Sequence, residues 1–329
     1  MSARDVGRAI LGIAISIAAI ALVLRSVRLD LVIDVLRTTN PVWIAVAALF
    51  IGIDVLIRAV RWQRLLAPIR HVRLRPVLGY LLIGYLANNV LPARLGELVR
   101  SHYLGDREGL SRTTTLGTIV VERIVDTVVV VAIAAFAIIV LNVRGLVTSA
   151  VAVGAAITAL LVVLLGIGVA AHRLPGAATA AAWIARWPRL EGVTQRLRGG
   201  LAVAGRPRTL LEALFLSAAA WGATLLAFAA AGQAVGIQLR IGEAALLASG
   251  VALASAIPAG PGYLGTYEYA AVKIAEALGR PPEPAFALAL LVHATILVMT
   301  SGGGLIALSR LGLRRAALAD AAAVPAPDP

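Results

Sequence analysis

The chain has 329 residues, 60% of them hydrophobic and 14% charged, with a mean hydropathy of +0.90. Soluble globular domains carry nearer about 25% charged residues, so soluble enzyme folds are excluded and the bilayer is the solvent. The net charge of +13 arises from 30 basic and 17 acidic residues, and every basic residue except Lys273 is arginine. In a membrane protein such a surplus marks cytoplasmic loops and their contact with anionic lipid headgroups, so nucleic acid is not expected as a partner.

Residues 9–24 (AILGIAISIAAIALVL) follow Arg4 and Arg8 and read as an uncleaved first transmembrane helix. The segment 25–39 is an amphipathic helix for the outer surface. Five further full crossings follow at 42–60, 114–141, 149–171, 209–233 and 285–308. Two regions, 77–105 and 243–279, each hold a short apolar stretch, a Pro/Gly-rich break and a second amphipathic stretch. Their halves are too short to cross singly and are expected to form re-entrant helix hairpins. Between 172 and 208, Trp183, Trp187 and seven arginines predict an interfacial helix on the cytoplasmic leaflet. Residues 311–329 read as a disordered tail.

Charge tests this topology. With the N-terminus inside, the cytoplasmic pieces hold 19 arginines and the outer pieces 6, which satisfies the positive-inside rule with both termini cytoplasmic. The expected fold is therefore all-α and polytopic, a single membrane domain over 1–310. Its six crossings and two hairpins include a triplet over 42–141 and a second over 209–308 that starts from the opposite side. The breaks share a PAxxG string, Pro92 to Gly96 and Pro258 to Gly262. Paired broken segments at corresponding positions of an inverted repeat point to a midplane binding site.

An ionisable group at the bilayer centre costs at least about 2.5 to 3.5 kcal/mol, so each needs a partner or a purpose. Asp54, Arg58 and Arg61 share one helix face; they read either as an internal ion pair with an interfacial Arg or as a phosphate ladder on a cavity wall. Glu122 and Asp126 share another face, with Arg123 turned away, and either bind a proton or cation or pair with arginines of other helices. The first break, from Asn88 and Asn89 through Pro92, Arg94, Gly96 and Glu97 to Arg100, is the densest polar string in an apolar region. It opens a half-helix whose N-terminus suits a phosphate. The second break, with Pro258, Gly260, Gly262 and Gly265, opens another, with Glu268 one turn in. His293 lies mid-crossing and reads as a hydrogen-bonded packing residue. The four histidines are scattered and the chain has no cysteine, so neither metal nor cofactor is expected.

These strings resemble the transmembrane region of lysylphosphatidylglycerol synthases and related stand-alone flippase-like membrane proteins. The resemblance rests on Arg58-Ala-Val-Arg61-Trp62, on Asn89-x-x-Pro92-x-Arg94-x-Gly96-Glu97-x-x-Arg100, on Glu122-Arg123-x-x-Asp126 and on Pro258-x-Gly260-Pro261-Gly262-x-x-Gly265-x-x-Glu268. It implies a helical domain that moves, or helps to move, a lipid with a modified headgroup between leaflets. Members with a soluble aminoacyl-transferase domain carry it after the membrane region, and this sequence stops at 329, so the lipid is left open between aminoacyl-phospholipid and polyprenyl-phosphate types. Arg58, Arg61, Arg94, Arg100 and Arg123 are the expected phosphate ligands. Asp54, Glu97, Glu122, Asp126 and Glu268 are expected to meet a cationic headgroup or a coupling proton. The expected location is a bacterial or archaeal cell membrane. Besides the lipid substrate and anionic lipid of the cytoplasmic leaflet, the expected partners are a second copy of the chain and a separately encoded lipid-modifying enzyme. Two alternatives remain: a polyprenyl-pyrophosphate phosphatase or transferase, although the breaks hold no serine nucleophile, and a non-transporting partner of an envelope-lipid glycosyltransferase.

Overall fold

The computed structural model describes residues 3–91, 95–170, 186, 188–256 and 259–322, with side chains of 3–10, 188–190, 193 and 312–322 left aside. Among these residues there are twelve α-helices and no strand: α1 (Ala3–Ser26), α2 (Leu29–Arg37), α3 (Pro41–Leu66), α4 (Leu74–Val90), α5 (Gly96–Glu108), α6 (Arg112–Leu141), α7 (Leu146–Ala170), α8 (Pro188–Leu201), α9 (Pro207–Ala234), α10 (Ile241–Ala254), α11 (Thr266–Ala277) and α12 (Pro282–Ala322). The chain is a polytopic all-α membrane protein. Helices α3, α6, α7, α9 and the first 30 residues of α12 are each long and apolar enough to span a bilayer.

Helix boundaries follow local chemistry. Asn40 caps α3 by accepting from the Val42 N–H at 2.9 Å, and Pro41 occupies the first turn. Ser111 caps α6, which ends on Asn142 in the left-handed region. The first crossing and the amphipathic helix after it fall where expected: α1 carries the apolar run, turns by 86° into α2, and the bent pair counts as a sixth span. The interruption at Val27 and Arg28 lets α2 turn its amphipathic length across the end of the bundle, with Val32 buried. Of the tail expected to be disordered over 311–329, the part to Ala322 instead continues α12 as helix, and 323–329 lie outside the described residues. Its Ala-, Leu- and Arg-rich sequence has high helix propensity. Trp183, Trp187 and the Ala-rich run before them lie outside the described residues; the following α8 packs on α6, where Gly117 and Gly200 bring the two backbones together.

Both broken regions fold back on themselves. In the first, Gly84 of α4 faces the Gly96 carbonyl and Arg100 of α5, and Tyr80 donates to Glu108 at 3.0 Å. In the second, Gly250 of α10 faces Ile274 of α11, while Glu243 pairs with Arg280 beyond its end. Partners that recede along one helix as they advance along the other define antiparallel hairpins. Each has its own apolar cluster, around Trp62, Leu81 and Leu104 for the first and around Leu246, Val272 and Leu288 for the second.

The packing is unchanged when the two triplets are exchanged. Helix α3, first in its triplet, packs along α9, first in the other. The first hairpin packs on α12 and the second on α6, each the third element of the opposite triplet. Along the α3–α9 pair, Asp54 meets Thr224 and Arg61 meets Ser217, so these two helices are antiparallel. Helix α1 lies outside both triplets and staples the second break, with Ser16 Oγ accepting from the Gly260 N–H at 2.9 Å.

A Cβ at Gly96 would run into the Gly84 carbonyl and the Asn88 side chain, whereas one at Gly302 meets nothing. Gly96→Ala is expected to lower stability by about 1 to 3 kcal/mol through overpacking, and Gly302→Ala to leave it unchanged or slightly raised. Thermal unfolding of both variants in one detergent checks this.

Candidate functional site

Helices α3, α5 and α6 bring eight charged side chains together, four of each sign. Asp54 accepts from Arg58 Nε at 2.8 Å, one helical turn away as the spacing predicted. Asp126 is the hub. It receives Arg58 Nη1 at 2.9 Å, Arg61 Nη1 at 2.6 Å, Trp221 Nε1 at 2.9 Å and Ser217 Oγ at 3.2 Å. Glu122 pairs with Arg61 at 3.1 Å and with Arg100 at 3.1 Å. Glu97 and Arg123 pair on the outer side of the cluster. Two tryptophans cover guanidinium faces, Trp62 at 4.7 Å from Arg100 and Trp221 at 5.0 Å from Arg58.

Of the two readings open for Glu122 and Asp126, the geometry takes the one in which each meets arginines from other helices. Arg61 and Arg100, expected among the phosphate ligands, are 1% and 3% exposed at the side chain and do not line the cavity. The carboxylates of α6 take both terminal nitrogens of Arg61 and Nη1 of Arg100, while Arg61 Nε and Arg100 Nη2 are buried with no hydrogen-bond partner among the described residues. Arg123 is 48% exposed and Arg58 reaches the cavity wall, so these two keep a face toward it. Arg94 and Pro92, like Pro258, lie outside the described residues.

A cavity of about 250 Å³ opens beside this cluster, between the two breaks. Asp54, Arg58 and Arg123 form its charged wall, Asn88 and Asn89 its first-break edge, and Tyr263 and Tyr267 its second-break edge, with Tyr85, Trp221 and Thr224 between. The breaks approach one another here: a Cβ on Gly262 would lie 3.6 Å from the Asn89 carbonyl. Asn88 bridges its own break by accepting the Gly96 N–H at 2.8 Å, and Asn89 donates to Thr300 and Ser301 of α12 at 3.0 Å each. Asn88 thus satisfies a backbone N–H freed by the first break, and Asn89 anchors the break to α12.

The second half-helix N-terminus differs from expectation. Glu268 turns back on its own helix and accepts the Gly265 N–H at 2.7 Å, so the position foreseen for a phosphate holds a carboxylate of the chain. Gly265 and Gly262 have φ of +87° and +64°, which glycine adopts without a Cβ penalty and which allow this tight return. The other oxygen of Glu268 lies 2.5 Å from Nδ1 of His293, whose Nε2 meets the Gly262 carbonyl at 2.7 Å. His293 is therefore hydrogen-bonded, as read from the sequence, but its partner was not foreseen.

The shared PAxxG string does not mark equivalent positions. Glu97 and Glu268 each lie in the first turn of the second hairpin helix, and each pairs with a side chain on the third helix of its own triplet, Arg123 or His293. These equivalents are separated by 171 and 170 residues, whereas Gly96 and Gly262 are separated by 166. The second break is longer by a turn. Sequence reasoning also missed Tyr85, Ser217, Trp221 and Thr224, uncharged residues contributed by α4 and α9. Only a tryptophan placed mid-span gave a signal, because its indole N–H needs an acceptor in an apolar helix.

Residues 9–304 match the family described as the lysylphosphatidylglycerol synthase TM region. The chain belongs to that family. It is 28% identical over 118 residues to the UPF0104 membrane protein MJ1595 of Methanocaldococcus jannaschii, which covers 35% of each chain. It is 25% identical over 331 aligned positions to the glycosyltransferase AglD of Haloferax volcanii, covering 89% of this chain and 53% of that one. The chain thus spans about a third and about half of the lengths of these two relatives. No solved structure matches it significantly.

Removing the hub leaves Arg58 and Arg61 short of a counter-charge in a buried setting. Asp126→Ala is expected to destabilise the protein by about 3 to 5 kcal/mol, seen as a large drop in the thermal unfolding midpoint and in folded yield. Thr224→Val, which removes one 3.2 Å hydrogen bond to Asp54 at the cavity edge, should cost about 1 kcal/mol or less.

Proposed function

We propose that this membrane protein moves a lipid of anionic or modified headgroup, of the aminoacyl-phospholipid or polyprenyl-phosphate type, between the two leaflets. The observation that carries the reading is the meeting of two antiparallel hairpins, from oppositely oriented triplets, at one cavity with a charged wall inside otherwise apolar helices. The headgroup enters that cavity while the chains remain in the bilayer. Arg58, Arg123 and, from the sequence, Arg94 meet the phosphate. Glu97 and Asp54 meet a cationic part of the headgroup. The hairpins are re-entrant in this reading, with both termini cytoplasmic in a prokaryotic cell membrane and the arginine-rich loops against anionic lipid. The chain acts as a transporter rather than an enzyme.

The similarity to a glycosyltransferase over most of this chain favours a second reading: a membrane unit that presents a lipid-linked substrate to a separately encoded glycosyltransferase without moving it. Translocation separates the two. Purified protein in vesicles should accelerate the appearance of labelled phosphatidylglycerol or polyprenyl phosphate in the opposite leaflet, and no acceleration of either lipid overturns the transport reading. Glu97→Gln, which removes charge from the exposed end of the cluster, should slow translocation at least about tenfold, equivalent to about 1.4 kcal/mol, with the unfolding midpoint near wild type. A parallel loss of folding would assign Glu97 to structure.

Orientation has its own check. The chain contains no cysteine, so single introduced ones report cleanly. Arg144→Cys should react with an impermeant maleimide from outside intact cells, and Gly192→Cys only after the membrane is opened.

A further inference from the structure

Five carboxylates were candidates for a coupling proton, and their partners separate them. Asp54, Glu97, Glu122 and Asp126 each face at least one arginine, and a guanidinium does not give up its proton in proteins. Glu268 alone faces a base that can, the imidazole of His293.

The donor and acceptor inventory at this pair leaves one arrangement. The Gly262 carbonyl only accepts, so His293 Nε2, 2.7 Å away, carries a hydrogen. Glu268 Oε2 accepts the Gly265 N–H. Between Nδ1 and Oε1, 2.5 Å apart, two facing lone pairs would repel, so a proton lies between them, on one atom or the other. The pair therefore holds one proton more than a neutral imidazole beside a carboxylate. Burial requires the same proton. The two side chains are 4% and 5% exposed; with the proton the pair has no net charge, and without it a carboxylate would remain in an apolar interior with no cation.

Among the described residues, no other charge is paired with Glu268 or His293. Tyr267 stacks on the His293 ring at 4.2 Å and 20°, and Tyr263 belongs to the same break. Charges on the elements packed around α11 and α12 have partners of their own: Lys273 with Glu276 on α11, Glu243 of α10 with Arg280, and Asp54 of α3 with Arg58. On α1, Arg25 lies more than a turn beyond Ile20, the residue touching Gly265. On α2, Asp30 pairs with Arg28, and on α9, Arg208 with Glu212.

We propose that Glu268 and His293 form the proton-binding site that couples this protein to pH, its occupancy deciding whether the second hairpin break is clamped to α12. In the protonated state the imidazole ties the Gly262 carbonyl and Glu268 to one point on α12. Release of the proton turns the neutral pair into an anion, the 2.5 Å contact opens, and Glu268 turns to the adjacent cavity, whose wall includes Tyr267 and Val292. The clamped state binds the extra proton, so it is favoured at low pH and lost as pH rises. The first triplet carries Glu97–Arg123 at the equivalent place, a pair with no proton to release, so only one of the two hairpins is switched. This inference deepens the transport reading by naming the coupling ion, and rests on it for the purpose of the switch.

Glu268→Gln gives the test its discriminating variant. The Gln amide can accept from Gly265 through its oxygen and donate to a neutral Nδ1 through its nitrogen, so it imitates the bridging proton permanently. Spin labels at Leu264→Cys and Val298→Cys, 50% and 72% exposed in the native chain, span the clamp in the full chain in nanodiscs. The distance is expected to lengthen with rising pH in the otherwise native protein, to stay short at every pH with Glu268→Gln, and to be long throughout with His293→Phe. In parallel, ¹⁵N-histidine spectra of the chain with His71, His102 and His172 replaced by Gln should show Nε2 protonated throughout and one step at Nδ1, absent in Glu268→Gln. A pH-independent distance in the native background, or a Glu268→Gln variant that still opens, overturns the proposal. Vesicles containing labelled phosphatidylglycerol distinguish the two readings. If that lipid never moves while the Nδ1 step and the distance change persist, the proton switch stands and the transport reading for that lipid falls. If it moves at a rate independent of pH and of Glu268→Gln, the coupling falls and transport stands.

Discussion

Asp126 holds the structure together at its most costly point. A lone carboxylate at that depth would cost several kcal/mol, as would each of the arginines around it. Four donors on α3 and α9 converge on its two oxygens, from Arg58, Arg61, Ser217 and Trp221, and through Arg61 and Glu122 the network extends to Arg100 on the first hairpin. Three positive and three negative groups cancel within one connected network, and Glu97 and Arg123 cancel as a pair beside it. The helices that supply them cannot slide past one another without exposing a charge to hydrocarbon, so the cluster locks α3, α5, α6 and α9 in register.

The two sides of the cavity are held by groups of different kinds. The first hairpin is tied to permanent charges through Arg100 and Glu97, and Asn89 anchors its break to Thr300 and Ser301. The second hairpin reaches the cavity through groups of another kind: a histidine, a carboxylate, two glycines in the left-handed region and two tyrosines. Exchange of the triplets preserves the packing of helices but not the chemistry at the breaks.

Much of this was legible in the chain. Five spans, the two hairpins and the opposed triplets followed from hydropathy, break residues and arginine asymmetry, because in lipid every backbone group must be satisfied and few structures do so. The pairing of Asp54 with Arg58 followed from helical spacing alone. Apolar length did not reveal the 86° angle between α1 and α2, and the start of the tail was read as disordered although α12 carries its helix to Ala322. The match of PAxxG strings misaligned the breaks, since identity of short strings in an Ala- and Gly-rich chain carries less information than the position of a helix start.

The sequence by itself determined the solvent, the helical class, the inverted order of elements and the list of charges that had to find partners. These are consequences of composition and periodicity, which act locally along the chain. Tertiary structure decided which charges met. Arg61 and Arg100 met carboxylates of α6, Trp221 and Ser217 arrived from a helix some ninety residues away, and Glu268 met His293. Charge pairing depends on the packing of helices far apart in sequence, and a side chain's partner is set by which neighbour it faces once the breaks have closed.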